Sequence, residues 1–368
     1  MGANRKKQED LDRAAKKLPF PLKEPLREEL NLKIYVPEMP AGTDLLPWAA
    51  WYLKKEVYGS LSDKTADGKV FDLQKFINFF YYYFPGGDLK YWDKASSNDF
   101  LGKLEKAKYA RGTIRRIHAN LSAFSTFLVE MKIYDHVTSP MRKVKAPPLN
   151  KTAPKSIQLV SEDGDVVIKE GESVLSMLHD TAERIMMEKN KNTPPQKCPV
   201  RDFAIMAVLR YTGLRVSELC GLQIKQYQKD MYSQGAYFRG VVGKGDKPRD
   251  VYMQKKGVEA VDLYIKEERK KVKSGALFLT YFGTTMTRNN VWQILKFLGR
   301  ETEKKYSNGG KILINPHRFR HERCYTLLNA PGLTITEVAD ELGHNDLKYL
   351  KIYGDRSDKT RSEKLKDV

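Results

Sequence analysis

Thr212-Gly213-Leu214-Arg215-Val216-Ser217-Glu218-Leu219 is followed along the chain by His317-Arg318-Phe319-Arg320-His321. Leu342-Gly343-His344 comes next, with Tyr353 nine positions after that histidine. Between the first two stretches lies Gly243-Lys244-Gly245-Asp246-Lys247-Pro248-Arg249, flanked by apolar, strand-like residues. Arginines, a lysine, histidines and a late tyrosine supply what attack on a phosphodiester without a metal requires. The cations meet developing negative charge, an acid serves the leaving oxygen, and a hydroxyl is the nucleophile.

The first stretch reads as a helix break. Asp202 to Tyr211 carries Phe203, Met206, Ala207 and Leu209 in the pattern of a buried helix; Thr212-Gly213 ends it, and Arg215 opens a second helix over Val216 to Leu222. An arginine there can fork onto a phosphate while the new helix's N–H groups face the same anion. The competing reading is a structural ion pair with Glu218, three positions on. Ala236–Val242 and Asp250–Met253 bracket the Gly/Lys-rich turn and predict a β-hairpin. Lys244 falls at its tip, where a loop can reach a ligand; the competing reading is a solvated turn lysine, and Lys247 is a rival candidate.

Asn315-Pro316 lead into a helix on which His317 and Arg320 share a face. There Arg320 would complete a clamp with Arg215, His317 would hydrogen-bond a non-bridging oxygen or assist proton removal, and His321 would support them. Ile335, Val338, Ala339 and Leu342 predict a short amphipathic helix stopping at Gly343, then a second short helix carrying Tyr353. The chain has 20 tyrosines, and Tyr349 lies one helical turn before Tyr353, so the tyrosine alone decides nothing.

Working outward, the 368 residues suffice for two domains. The net charge of +19, from 65 Lys+Arg against 46 Asp+Glu, suggests a polyanionic partner, because each phosphate neutralised releases condensed counterions; the competing reading is a basic surface that binds nothing. Only Cys198, Cys220 and Cys324 occur, with no CxxC pair, which argues against a zinc ribbon or disulfide framework and fits a reducing compartment. No apolar run reaches the ~18 residues of a membrane span, and Met1 to Lys17 lacks the apolar stretch of a signal peptide. A cytoplasmic, DNA-associated protein without membrane partners is expected.

Residues 1–40 read as a charged, proline-punctuated extension and residues 41–138 as a helical, DNA-binding unit. Its clearest helices run around Phe71–Phe80, ending at Pro85, and from Thr113 to Met131. In the second, Ile114, Ile117, Leu121, Phe124 and Leu128 form one stripe that Arg111, Arg115, Arg116 and His118 leave. That face either lies against a nucleic-acid backbone or is simply solvated. Residues 139–155, with Lys143 and Lys145, read as an extended basic linker able to track phosphates. Residues 156–356 form a second domain that begins with a hairpin, Ile157–Val160 with Val166–Ile168, then a helix from Val174 to Lys189; the rest is mostly helical with one β unit near 236–253. Residues 357–368 are a tail. DNA-contact candidates are Arg111, Arg115, Arg116, Lys143, Lys145 and Lys247.

The order and offsets of the quoted stretches resemble the tyrosine recombinase (phage integrase) family, over roughly residues 45–356 and most specifically after Arg201. The motif departs mildly: Phe319 stands where leucine is typical, and Cys324-Tyr325-Thr326 where Ala-Thr is common. The resemblance implies a mainly α fold with a small β-sheet or hairpin (α+β), a helical core-binding domain plus a catalytic domain, forming a C-shaped clamp. It gives Tyr353 the nucleophile's role, Lys244 protonation of the leaving 5′ oxygen, His344 a hydrogen bond to the scissile phosphate, and Glu218 a supporting place beside Arg215. It further implies site-specific recombination of double-stranded DNA through a 3′-phosphotyrosyl intermediate and a Holliday junction. A homo-tetramer on DNA, accessory DNA-bending or directionality factors, a mobile-element setting, and neither metal nor cofactor complete that expectation. A type IB topoisomerase-like nicking and resealing enzyme, or a non-cleaving DNA-binding protein of the same fold, stay open as alternatives.

Overall fold

The computed structural model describes residues 39–58, 60–61, 63–148, 157–160, 174–190, 192, 194, 197–243, 247–270, 272–306 and 310–343. The chain divides into two compact units, Met1–Lys151 and Thr152–Val368.

The described part of the first unit is helical: α1 (Leu45–Tyr52), which runs into a π turn over Leu53–Val57, α2 (Asp63–Tyr83), α3 (Lys94–Lys106) and α4 (Arg111–Glu130). Asp44 caps α1, and a reciprocal capping box of Asp93 and Ser96 starts α3. The α4 stripe is buried as its spacing predicts: Ile114, Ile117, Leu121, Phe124 and Leu128 are all sealed from solvent. The core it meets is aromatic. Trp92 sits 4.7 Å from Phe76 and 5.6 Å from Phe124 by ring centroids, and its indole N–H donates to Ser97 Oγ at 2.9 Å. Large rings bury much area for little lost rotamer freedom, and the indole's polar edge is satisfied inside.

One expectation changes here. Residues 139–148, read as extended linker, fold back on the helices: Met141 and Val144 enter the core, Ser97 Oγ donates to Pro140 O (3.0 Å), and Arg115 Nη1 donates to Pro147 O (2.9 Å). Two apolar side chains three apart gain more from burial than a phosphate-tracking coil would offer. Lys143 and Lys145 stay exposed.

The second unit is built around α6 (Pro199–Thr212), which is buried on nearly every side and packs against α5 (Val174–Met187), α8 (Lys255–Glu267) and α10 (Pro316–Leu328). α7 (Val216–Gly221) and α9 (Arg288–Tyr306) complete the helical layer, with α11 (Ile335–Leu342) packed on α10. Strands β2 (Tyr227–Lys229), β3 (Ala236–Val242) and β4 (Pro248–Met253) form an antiparallel sheet in that order. The predicted hairpin is β3–β4, with Phe238 opposite Val251 and an irregularity that puts Val241 opposite Arg249.

Two further expectations need correcting. The strand expected at Ile157–Val160 is present as β1 (Gln158–Val160), but beyond it the 236–253 unit is not the whole of the β structure: β2 adds to that sheet, and β5 (Lys311–Leu313) pairs antiparallel with β1. The partner of Gln158–Val160 thus comes from far along the chain, a non-local pairing that no adjacent turn announces; the other arm of the expected hairpin, Val166–Ile168, lies outside the described residues. In α11, Val338, Ala339 and Leu342 are buried against Cys324 and Leu327, whereas Ile335 at the first turn is 59% exposed.

Arg116 illustrates how the helical unit spends its charge. Its guanidinium makes a two-pronged contact to the fully buried Asp72, Nε to Oδ2 at 2.8 Å and Nη2 to Oδ1 at 2.9 Å, with Asn120 adding a third bond at 2.8 Å. Arg116 is thereby engaged within the fold, rather than being only a contact candidate. Replacing it by glutamine leaves a buried carboxylate short of a charged donor. Chemical denaturation should show Arg116→Gln destabilised by about 2 kcal/mol, with part recovered in Asp72→Asn/Arg116→Gln; an unchanged unfolding midpoint would assign Arg116 to the surface alone.

Candidate active site

Gly213 ends α6 in the left-handed region (φ 65°), where a side chain would be strained and a Cβ would lie 2.9 Å from Arg323 Cβ. The chain therefore turns sharply and delivers Arg215 as the N-cap residue of α7. The Arg215 amide donates to Glu218 Oε2 (2.8 Å) and its Nη1 to Glu218 Oε1 (2.7 Å). The ion pair weighed from the sequence is present, and the anion found at the start of α7 is Glu218 itself.

Glu218 is only 2% exposed, and a second guanidinium reaches it. Arg249, on β4, donates Nη1 to Oε1 at 3.1 Å and Nη2 to Oε2 at 3.0 Å. Burial opposes ionisation of this carboxyl, but the bonds from Arg249 and Arg215 outweigh it and hold the group below the usual carboxylate range. Arg249 stood inside the quoted turn motif and escaped notice as a site residue. Strand alternation marks it: Arg249, Val251 and Met253 share one face, and the last two are fully buried.

Arg320, buried in α10, donates Nη1 to Gly213 O (3.2 Å) and Nη2 to Leu342 O. Desolvation, and then the positive charge of Arg215, push its pKa down to about 10, so it remains a cation at neutral pH. Arg215 Nη2 donates to Gly343 O (3.2 Å), and Arg249 Nε to Glu341 O (3.2 Å). The successive carbonyls of Glu341, Leu342 and Gly343, at the end of α11, thus each take a different arginine. Those carbonyls are the ones a helix leaves without intrahelical partners, and they carry its negative dipole end.

His317 lies in the first turn of α10 behind the N-cap Asn315, whose side chain accepts the His317 amide at 2.8 Å. Its ring stacks with that of His321 at 5.8 Å. Partial desolvation, then Arg320 and Arg215, hold His317 below the ordinary imidazole value; His321 is pushed down to about 4 by desolvation and by His317 and its arginine neighbours. Both rings are neutral near pH 7 and can accept a proton or a hydrogen bond. Arg215, Glu218, Arg320, His317 and His321 are therefore gathered by the fold, with Arg249 added.

Lys244, His344 and Tyr353 lie outside the described residues. The glycines immediately before the first two do not. A Cβ on Gly243 would stand 3.0 Å from Glu218 Oε1 and 3.2 Å from Arg249 Nη1, and one on Gly343 would stand 2.9 Å from Arg249 Cζ. The segments that continue into Lys244 and His344 both start against this cluster. Lys247 is exposed at the start of β4; Arg111, Arg115, Arg116, Lys143 and Lys145 belong to the other unit.

The histidine shifts set a stability prediction. With folded pKa values below the unfolded value near 6.5, the unfolded chain takes up protons first as pH falls. Stability should be fully retained above pH 6.5 and decline from there towards pH 4, where His321 itself protonates. Urea unfolding at a series of pH values should show this decline, flattened in His321→Asn; equal slopes in both proteins would refute the assignment.

The model of the phage integrase family matches residues 176–360, half of the 368-residue chain. A XerD tyrosine recombinase of Listeria innocua is 27% identical over 270 residues, covering 71% of this chain and 78% of the relative. A XerD of Oceanobacillus iheyensis is 29% identical over 301 residues, covering 80% and 88%. Among solved structures, the XerH site-specific recombinase bound to palindromic difH substrate, a post-cleavage complex, shares the fold with a TM-score of 0.60 at 16% identity, over 93% of this chain and 94% of that one. The Tn1549 transposon integrase in complex with circular intermediate DNA does so with a TM-score of 0.58 at 17% identity, over 83% and 93%. The chain belongs to the phage integrase family and is a tyrosine-type site-specific recombinase.

Proposed function

We propose that the second unit cleaves and rejoins double-stranded DNA at specific sites with Tyr353 as nucleophile. The observation that carries this reading is the convergence of Arg215 and Arg320 on the end of α11, from which the chain runs on to His344 and Tyr353. The phenol oxygen of Tyr353 attacks phosphorus, and the bond to the 5′ oxygen breaks. Lys244 gives that oxygen its proton, leaving a 3′-phosphotyrosyl ester and a free 5′-OH. Attack by the 5′-OH of a partner strand reverses the step and releases the tyrosine. One ester is exchanged for another of similar energy, so no nucleotide hydrolysis is needed.

Arg215 and Arg320 would meet the non-bridging oxygens, where charge grows in the trigonal-bipyramidal state. His317, neutral at working pH, accepts or relays the phenolic proton, and His344 adds a hydrogen bond to the phosphate. In the helical unit, Arg111, Arg115, Lys143 and Lys145 are proposed to hold the DNA backbone, with Lys247 doing so from the catalytic unit. Strand exchange by this chemistry takes a tetramer on paired sites, through a Holliday junction, and a mobile element is the setting proposed for it.

The test uses nicked suicide duplexes drawn from DNA flanking the gene, with EDTA present. Denaturing gels should show a covalent protein–DNA adduct that Tyr353→Phe abolishes, while retarded DNA remains in native gels. Specific retardation with no adduct from the unaltered protein would make this a binding protein of the recombinase fold.

A further inference from the structure

Arg249 is not among the residues to which the reaction above gives a part, yet among the described residues its guanidinium makes three bonds in the cluster, against two each from the side chains of Arg215 and Arg320. It grips both oxygens of Glu218 and caps Glu341 O, and a Cβ on Gly343 would meet it first while one on Gly243 would meet Glu218 and then it. Its side chain is 13% exposed, so most of its surface is taken up by these protein contacts. Nearby, the β4 amide of Tyr252 donates to Glu341 Oε1 at 3.1 Å, a second tie between the hairpin and α11.

The charge arithmetic gives this arrangement a purpose. Arg215 and Glu218 alone make a neutral pair, and a guanidinium neutralised by a buried carboxylate is a poor partner for phosphate. With Arg249 on the same carboxylate, the trio carries a net positive charge, and Arg215 keeps its pull on an anion. We propose that Arg249 is a positioning residue for strand cleavage. It offsets Glu218 so that Arg215 stays effectively cationic, and it fixes the hairpin base before Lys244 and the helix end before His344 in one frame. Arg249 does not touch the reacting atoms in this scheme; it acts through Glu218, Gly243 and Gly343.

The proposal rests on the cleavage reading above, and the same suicide-duplex assay separates the two. If the unaltered protein gives no adduct, the cleavage reading has failed. If it does, the rate of adduct formation at saturating protein is compared across variants, with DNA retention and melting temperature measured beside it. Arg249→Gln should slow cleavage by about 100-fold, the scale expected for a misplaced catalytic frame, with retention changed by less than about threefold. Arg249→Gln/Glu218→Gln should regain about tenfold of that rate, because the unbalanced carboxylate is gone. A strut of purely structural value would not show this recovery. Arg249→Lys, which keeps the charge but not the fork, should fall between the two and also serves if the glutamine variant does not fold. Cleavage at the unaltered rate in Arg249→Gln or Arg249→Lys, or a double variant no faster than the single, would overturn the proposal.

Discussion

A buried carboxylate shared by two arginines is the interaction on which the catalytic unit depends. Glu218 could not remain ionised at 2% exposure without compensation, and Arg215 and Arg249 supply it from different elements. The result fixes three parts of the fold at once: the break between α6 and α7, the base of the β3–β4 hairpin, and the end of α11. Removal of any one of the charges would leave the other two badly placed, since a buried ion pair is costly chiefly when one member is lost. Specific geometry, more than net stability, is what such a cluster contributes.

The arginines carry a second cost. Packing Arg215, Arg249 and Arg320 close together sets like charges against one another, and the lowered pKa of Arg320 records it after desolvation. Part of the repulsion is offset by the C-terminal dipole of α11, whose terminal carbonyls take a donor from each guanidinium. A helix end is a modest counter-charge, worth a fraction of a full anion. The cluster is thus held together yet left in electrostatic need of a negative group, and a phosphate diester satisfies that need better than neutral carbonyls do.

How much was legible in the sequence follows from the range of each contact. Arg215 with Glu218, His317 with Arg320, the α4 stripe and the β3–β4 hairpin are local: their partners lie within a few residues or across one turn, so spacing reveals them. Arg249 escaped because its partners are 31 and 92 residues away, and a strand arginine beside a Gly/Lys-rich turn reads as solvated. Its alternation with Val251 and Met253 was the available signal. The β1–β5 pairing was hidden for the same reason, two three-residue strands joined across 150 positions with no shared turn. In the 139–148 segment, prolines and lysines masked the two apolar residues, Met141 and Val144, that decide its packing.

The donor count shows why structural and catalytic demands on the same arginines are compatible. A guanidinium has five N–H donors in a planar fork. Among the described residues, the Arg215 side chain gives one Nη1 bond to Glu218 and one Nη2 bond to Gly343 O, and Arg320 gives one Nη1 bond to Gly213 O and one Nη2 bond to Leu342 O. Each of these bonds uses a single hydrogen, so each fork is oriented by its protein partners while N–H capacity is left for an incoming anion. Lysines in the same places could not do this, because an ammonium has no plane to hold. The orientation is set before substrate arrives, which is the condition under which hydrogen bonds to a transition state cost no reorganisation as charge develops. Buried support from Glu218 and from the end of α11 is what holds two long, flexible side chains in fixed orientations.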